Sequence, residues 1–216
     1  MTATRDFDPE CSLCPRLAAH RNELRRQFPD YHNAPVAAFG DAAPRLLIVG
    51  LAPGLHGANA SGRPFTGDFA GILLFQSLYQ AGFSNTPQSI SSDDNLVLES
   101  VRITNAVKCL PPANKPTTQE ANSCQRFLER EIAGLSAATV ILALGTIAHR
   151  SVVRSAGGKL SEYGFAHGAV HRLPGGRCLI DSYHCSRYNT QTRRLTPAMF
   201  EAVLATARSL ALASPA

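Results

Sequence analysis

Four short apolar runs punctuate the chain: Arg45–Gly50, Val101–Val107, Thr139–Leu144 and Cys178–Tyr183. Each reads as a strand, and strands that alternate with helices are expected to be covered on both faces. Segments of helical period lie between and after them, at Asp68–Ala81, Thr118–Leu135, Ile147–Ala156 and Pro197–Leu212. The second carries an apolar stripe of Ala121, Cys124, Leu128, Ile132 and Leu135, roughly helical in spacing. Thr117 and Glu120, just after Pro116, form its capping box. Strands alternating with helices predict a three-layer α/β/α sandwich around a central, mainly parallel four-stranded sheet. Ser84–Asn95 reads as a polar loop, and no repeat or low-complexity tract interrupts the pattern.

One connection breaks the economy of this scheme. Between the first strand and its helix runs Gly50-Leu51-Ala52-Pro53-Gly54-Leu55-His56-Gly57-Ala58-Asn59, closing with Gly62-Arg63-Pro64-Phe65-Thr66-Gly67-Asp68. A loop this long in a compact domain is usually functional. Its glycines let backbone N–H groups approach a ligand, and Phe65 offers a stacking surface. Asp68 stands where a helix should begin, which is also an N-cap position. The spacing is neither a dinucleotide fingerprint nor a phosphate-binding P-loop. In a parallel sheet the carboxyl ends of the strands share one edge. The Gly50 loop, Thr104-Asn105 and Ser182-Tyr183-His184 therefore converge, placing Phe65, Asp68, Asn105 and His184 around one pocket.

Length suits a single domain over residues 1–216, with a cysteine-bearing segment over residues 1–40 ahead of the first strand. Hydrophobic residues make up 44% and charged residues 17%, a globular balance. No apolar run reaches membrane-spanning length, and Met1–Asp8 lacks the apolar core of a secretion signal. A cytoplasmic protein follows as the expectation. The net charge of +5 permits nucleic-acid binding without requiring it. Arg16, Arg21, Arg25 and Arg26 near one end, and Arg187, Arg193 and Arg194 near the other, form a phosphate track only if they meet on one face.

Six cysteines in such a chain point to metal or buried thiols rather than disulfides. Cys178, inside a strand, and Cys185 read as buried free thiols. Cys11-x-x-Cys14 makes a two-ligand corner, and Cys109 and Cys124 belong to one loop–helix unit. Four thiolates suit an iron–sulfur cluster or structural zinc. A zinc ribbon usually brings a second short-spaced pair; here the second pair is wide, so the spacing favours a 4Fe–4S cluster.

The loop Gly50–Asp68 resembles the first motif of the family 5, or type-b, uracil-DNA glycosylases. Thr104-Asn105-Ala106-Val107-Lys108-Cys109-Leu110-Pro111-Pro112 resembles their second block. Tyr183-His184-Cys185-Ser186-Arg187, with Asn189-Thr190 and Arg194-Leu195-Thr196, resembles their third. The resemblance runs from about Cys11 to Thr196. Leu51 stands where the related family 4 enzymes carry Glu, and Cys185 replaces the family's usual Pro in His-Pro-Ser.

The resemblance implies a monofunctional DNA-repair hydrolase that cuts the N-glycosidic bond of uracil and other deaminated bases, hypoxanthine among them, leaving an abasic site. It implies a 4Fe–4S cluster on Cys11, Cys14, Cys109 and Cys124. Asp68, Asn105 and His184 become the expected catalytic residues. The expected base pocket comprises Gly50, Leu51, Ala52, Pro53, Gly54, His56, Gly57, Asn59, Phe65, Asn105 and His184. Arg63, Arg187, Arg193 and Arg194 are the expected DNA contacts. The partner is damaged DNA, met by a monomer that is cytoplasmic and nucleoid-associated in a prokaryote. Two other classes compete: a non-catalytic damaged-DNA sensor and an iron–sulfur electron carrier.

Overall fold

The computed structural model describes residues 8–213; residues 1–7, where the absence of a secretion signal was read, and 214–216 lie outside it. The elements run α1 (Pro15–Gln27), β1 (Phe39–Gly40), β2 (Leu46–Gly50), α2 (Ala58–Ser61), α3 (Phe69–Gln80) and β3 (Val101–Asn105). They continue α4 (Thr118–Ala133), β4 (Val140–Leu144), α5 (Thr146–Ser155), β5 (Val170–Arg172), β6 (Cys178–Ser182), α6 (Arg187–Gln191) and α7 (Pro197–Ala213). The strand order is β1-β3-β2-β4-β6-β5. The four inner strands are parallel, as the apolar runs require, and β1 and β5 pair antiparallel at the two edges. The sheet thus has six strands rather than four. The two additions hold only two and three residues and are partly exposed, too short to carry a periodic signal.

Each inner strand is buried on both faces, and its side chains alternate between two cores. Leu46 and Ile48 face α3 and α7 with Leu74, Phe75, Leu78, Phe200 and Leu204. Leu47 and Val49 face α4 and α5 with Leu128, Ile132, Val152 and Val153. This makes the three layers. The capping box forms as the sequence specifies, with Glu120 N–H donating to Thr117 and Thr117 N–H donating to Glu120. Glu120 also accepts from Arg16 at 2.7 Å, tying α1 to the start of α4.

The register fixes the functional edge. Gly50 pairs with Asn105 and Leu144 with Ser182, so the loops leaving β2, β3, β4 and β6 emerge together. Beyond the strand ends the first two loops stay joined, Ala106 N–H donating to Gly50 and Val107 N–H to Leu51.

Candidate active site

A pocket of about 680 Å³ opens at this edge. Leu51, Ala52, Gly54, Phe65 and Asp68 line it from the long loop, Asn105 from the end of β3, and His184 from beyond β6. Phe65 is buried and holds a left-handed backbone, φ 60°. Its ring lies nearly parallel to that of His184, with centroids 6.0 Å apart. Gly50 must lack a side chain here: a Cβ would lie 2.5 Å from Asn105 Oδ1 and 2.6 Å from the Phe65 ring.

Asp68 occupies the N-cap of α3, yet its carboxylate makes no capping bond there. It turns across the loop instead and accepts the Ala58 N–H at 3.2 Å. Burial raises its pKa, opposed by backbone hydrogen bonds from Ala58 and Gly54. Cβ atoms at Gly54 and Gly57 would come within 2.2 and 2.0 Å of Asp68 Oδ1, so both glycines exist to admit this carboxylate. The capping explanation of Asp68 is therefore set aside: the carboxylate faces the pocket.

Two polar atoms in the site are buried without a partner, Asn105 Oδ1 and His184 Nδ1. Such orphans carry a desolvation cost unless a ligand answers them. Burial lowers the His184 pKa to about 4, so its imidazole is neutral at pH 7.

Several expected residues serve other ends. Arg63 is buried; it donates to Thr66, Ser89, the Ser91 carbonyl and Asp94, and lies 4.7 Å over the Phe39 ring. Buried in this way, it fastens the 84–95 loop rather than standing at the pocket rim, which corrects the expected DNA contact. Asn59 is buried and donates to the Asn33 side chain, so it holds loops together and reads no base. His56 is exposed against Tyr31 and Phe28, outside the pocket. Pro53 and Gly57 shape the loop without lining the pocket. Arg187 and Arg194 line the pocket, whereas Arg193, with φ 56°, turns the chain beside it.

The pocket also contains residues that the sequence did not single out. Gly145, Thr146 and Ile147 bring the start of α5 to it, and that helix has no side-chain cap. Its first-turn N–H groups make a place for an anion. A glycine directly between an apolar strand and a helix was the available signal. Phe165, in a stretch with no pattern of its own, joins Tyr183 of the expected strand end as an aromatic wall.

Away from the pocket, Cys11, Cys14, Cys109 and Cys124 converge on a small cavity walled by Leu13, Leu17, Val107 and Phe127. Burial, and the neighbouring thiols of Cys124, Cys11 and Cys14, push the Cys109 thiol up to about 12. Burial also raises the Cys124 thiol, opposed by the Lys108 N–H, which donates to its Sγ at 3.3 Å, and by the Lys108 charge; Arg21 opposes the rise at Cys109. Among the described residues, the three-ligand group whose ligand atoms all lie within 4.8 Å is His149, His171 and Asp181. Cys178 and Cys185 are buried in the core.

The family model of the uracil DNA glycosylase superfamily matches residues 37–208. A type-5 uracil-DNA glycosylase of Thermus thermophilus is 48% identical over 206 residues, 93% of this chain and 94% of that protein. One from Mycobacterium leprae is 43% identical, covering 93% and 91%. One from Pyrobaculum aerophilum is 40% identical, covering 86% and 82%. Matched over most of its length by the family and by these relatives, the chain belongs to the uracil DNA glycosylase superfamily, on its type-5 branch.

Proposed function

We propose that this protein hydrolyses the N-glycosidic bond of uracil and other deaminated bases in DNA, acting as a cytoplasmic monomer. The observation that carries the reading is one pocket holding a half-buried carboxylate, a flat ring and two orphaned polar atoms, with arginines at its rim. A base inside a duplex cannot reach such a pocket unless it is extruded. Phe65 then stacks on it. Asn105 Oδ1 accepts the lactam N–H that deamination creates, which uracil and hypoxanthine share and cytosine and adenine lack.

When the C1′–N bond breaks, its electron pair leaves with the base and the sugar becomes cationic. The neutral His184 ring donates a hydrogen bond to the oxygen where negative charge gathers. Asp68 stabilises the cation and takes a proton from the water that adds to C1′. Leu51 supplies no polar group directly after Gly50, which leaves Asp68 as the carboxylate in the pocket.

The four cysteines fit a 4Fe–4S cluster better than zinc. A zinc ribbon usually brings two short-spaced pairs, whereas Cys109 and Cys124 are widely spaced in the chain and all four thiols surround one cavity. Bound there, the cluster would cross-link the segment before α1 to the loop after β3 and to α4. The glycosidic step draws on Asp68, Asn105 and His184.

Single-turnover incubation with a uracil-containing oligonucleotide tests the function. The expected result is an alkali-labile abasic site with release of free uracil, and its loss on Asn105→Ala. Tight binding of that DNA without base release would make the protein a damage sensor instead.

A further inference from the structure

Arg187 and Arg194 are exposed, yet neither is loose. The Arg187 guanidinium lies 4.8 Å over the Phe69 ring, at the start of α3. The Arg194 guanidinium lies 4.7 Å over the Tyr183 ring, just past β6. Among the described residues neither forms a salt bridge. Both guanidiniums border the pocket. Their supports follow β2 and β6, strands separated only by β4.

The support beneath Arg194 is itself fixed. Tyr183 stacks on His167, with centroids 5.0 Å apart and an interplanar angle of 14°. His167 Nδ1 accepts the Tyr183 N–H at 3.2 Å, so that nitrogen carries no proton. Burial also lowers the His167 pKa. The stack therefore holds one positive charge, that of Arg194. The loop carrying both arginines is tied at its ends: Asn189 donates to the His184 carbonyl, and Leu195, fully buried, donates its N–H to Asn189.

We propose that Phe69 and Tyr183 are positioning residues that hold Arg187 and Arg194 as a preformed two-point clamp for the phosphates flanking an extruded nucleotide. This rests on the DNA reading above and adds to it. A guanidinium held over a ring face keeps N–H groups free for a phosphate. It also surrenders less side-chain entropy on binding than a free arginine.

The test is a double-mutant cycle read by fluorescence anisotropy on a uracil-containing duplex, across a series of salt concentrations. Arg194→Ala lowers the salt slope by about 0.9, one phosphate contact. Tyr183→Leu weakens binding about two- to fivefold, the size of an exposed cation–π contact. In the Arg194→Ala background it costs nothing further. Tyr183→Phe keeps wild-type affinity. Phe69→Leu behaves the same way towards Arg187→Ala, at a partly exposed site where folding is not at stake. Equal losses from Tyr183→Leu with and without Arg194, or no loss at all, would overturn the clamp. A wild-type protein that neither excises uracil nor binds DNA with a salt slope would instead overturn the function on which it rests.

Discussion

At the scale of single residues, the site is a set of groups that the fold keeps unsatisfied. Asp68 forgoes its own helix, and Asn105 and His184 each bury an atom with no partner. His184 gives a pH prediction with a definite sign. Its folded pKa is about 4, below the 6.5 of an ordinary histidine, so the unfolded chain binds more protons between those values. Stability is full above pH 6.5 and declines as the pH falls towards 4. Urea midpoints at pH 7.5, 6 and 5 should fall more steeply for the wild type than for His184→Asn; parallel curves would place His184 in water. Phe65, Asp68, Asn105 and His184 were legible because each belongs to a dense local motif at a strand end. Arg63 was misread because nothing local to Gly62-Arg63-Pro64 reveals Asp94 and Ser89, which reach it from a loop some thirty residues later.

At the scale of elements, β3 and α4 tie the pocket to the cysteine site. Glu131 of α4 accepts from Arg102 at 3.0 Å, Thr104 at 2.9 Å and Lys108 at 3.1 Å, and Lys108 also donates to Thr104. Lys108 and Glu131 are both buried, Lys108 within the Asn105–Cys109 connection and Glu131 on α4. Removing one member of a buried pair strands the other charge, at about 3–5 kcal/mol. Glu131→Gln should therefore lower the unfolding free energy by about that much in urea titrations; a change below about 1 kcal/mol would show that Lys108 finds water instead. The four inner strands and α3, α4, α5 and α7 were readable, since burial on two faces and helical stripes leave periodic marks. Helix α1 was not: it buries only Leu17, Arg21 and Leu24, and its start is marked by a proline that also follows a cysteine corner.

At the scale of the whole molecule, one sheet edge gathers the loops leaving four strands into a pocket, while four cysteines, two from before α1 and two from the β3–α4 unit, meet at a separate cavity. The cluster reading predicts brown protein with broad visible absorbance and about four irons per chain after anaerobic purification. Oxidative loss of iron should lower the melting temperature. Zinc at one per chain, without iron, would reverse that reading. On the proposed function, the pocket breaks a glycosidic bond and Asp68 drives the step. Asp68→Asn keeps the shape and can still accept the Ala58 N–H, but it cannot take a proton or balance a cationic sugar. With enzyme in excess over uracil-containing DNA, its single-turnover rate of base release should fall about 10²–10⁴-fold, with DNA affinity retained. A rate within about twofold of the wild type would contradict the account and leave Asp68 a structural partner of the glycine loop.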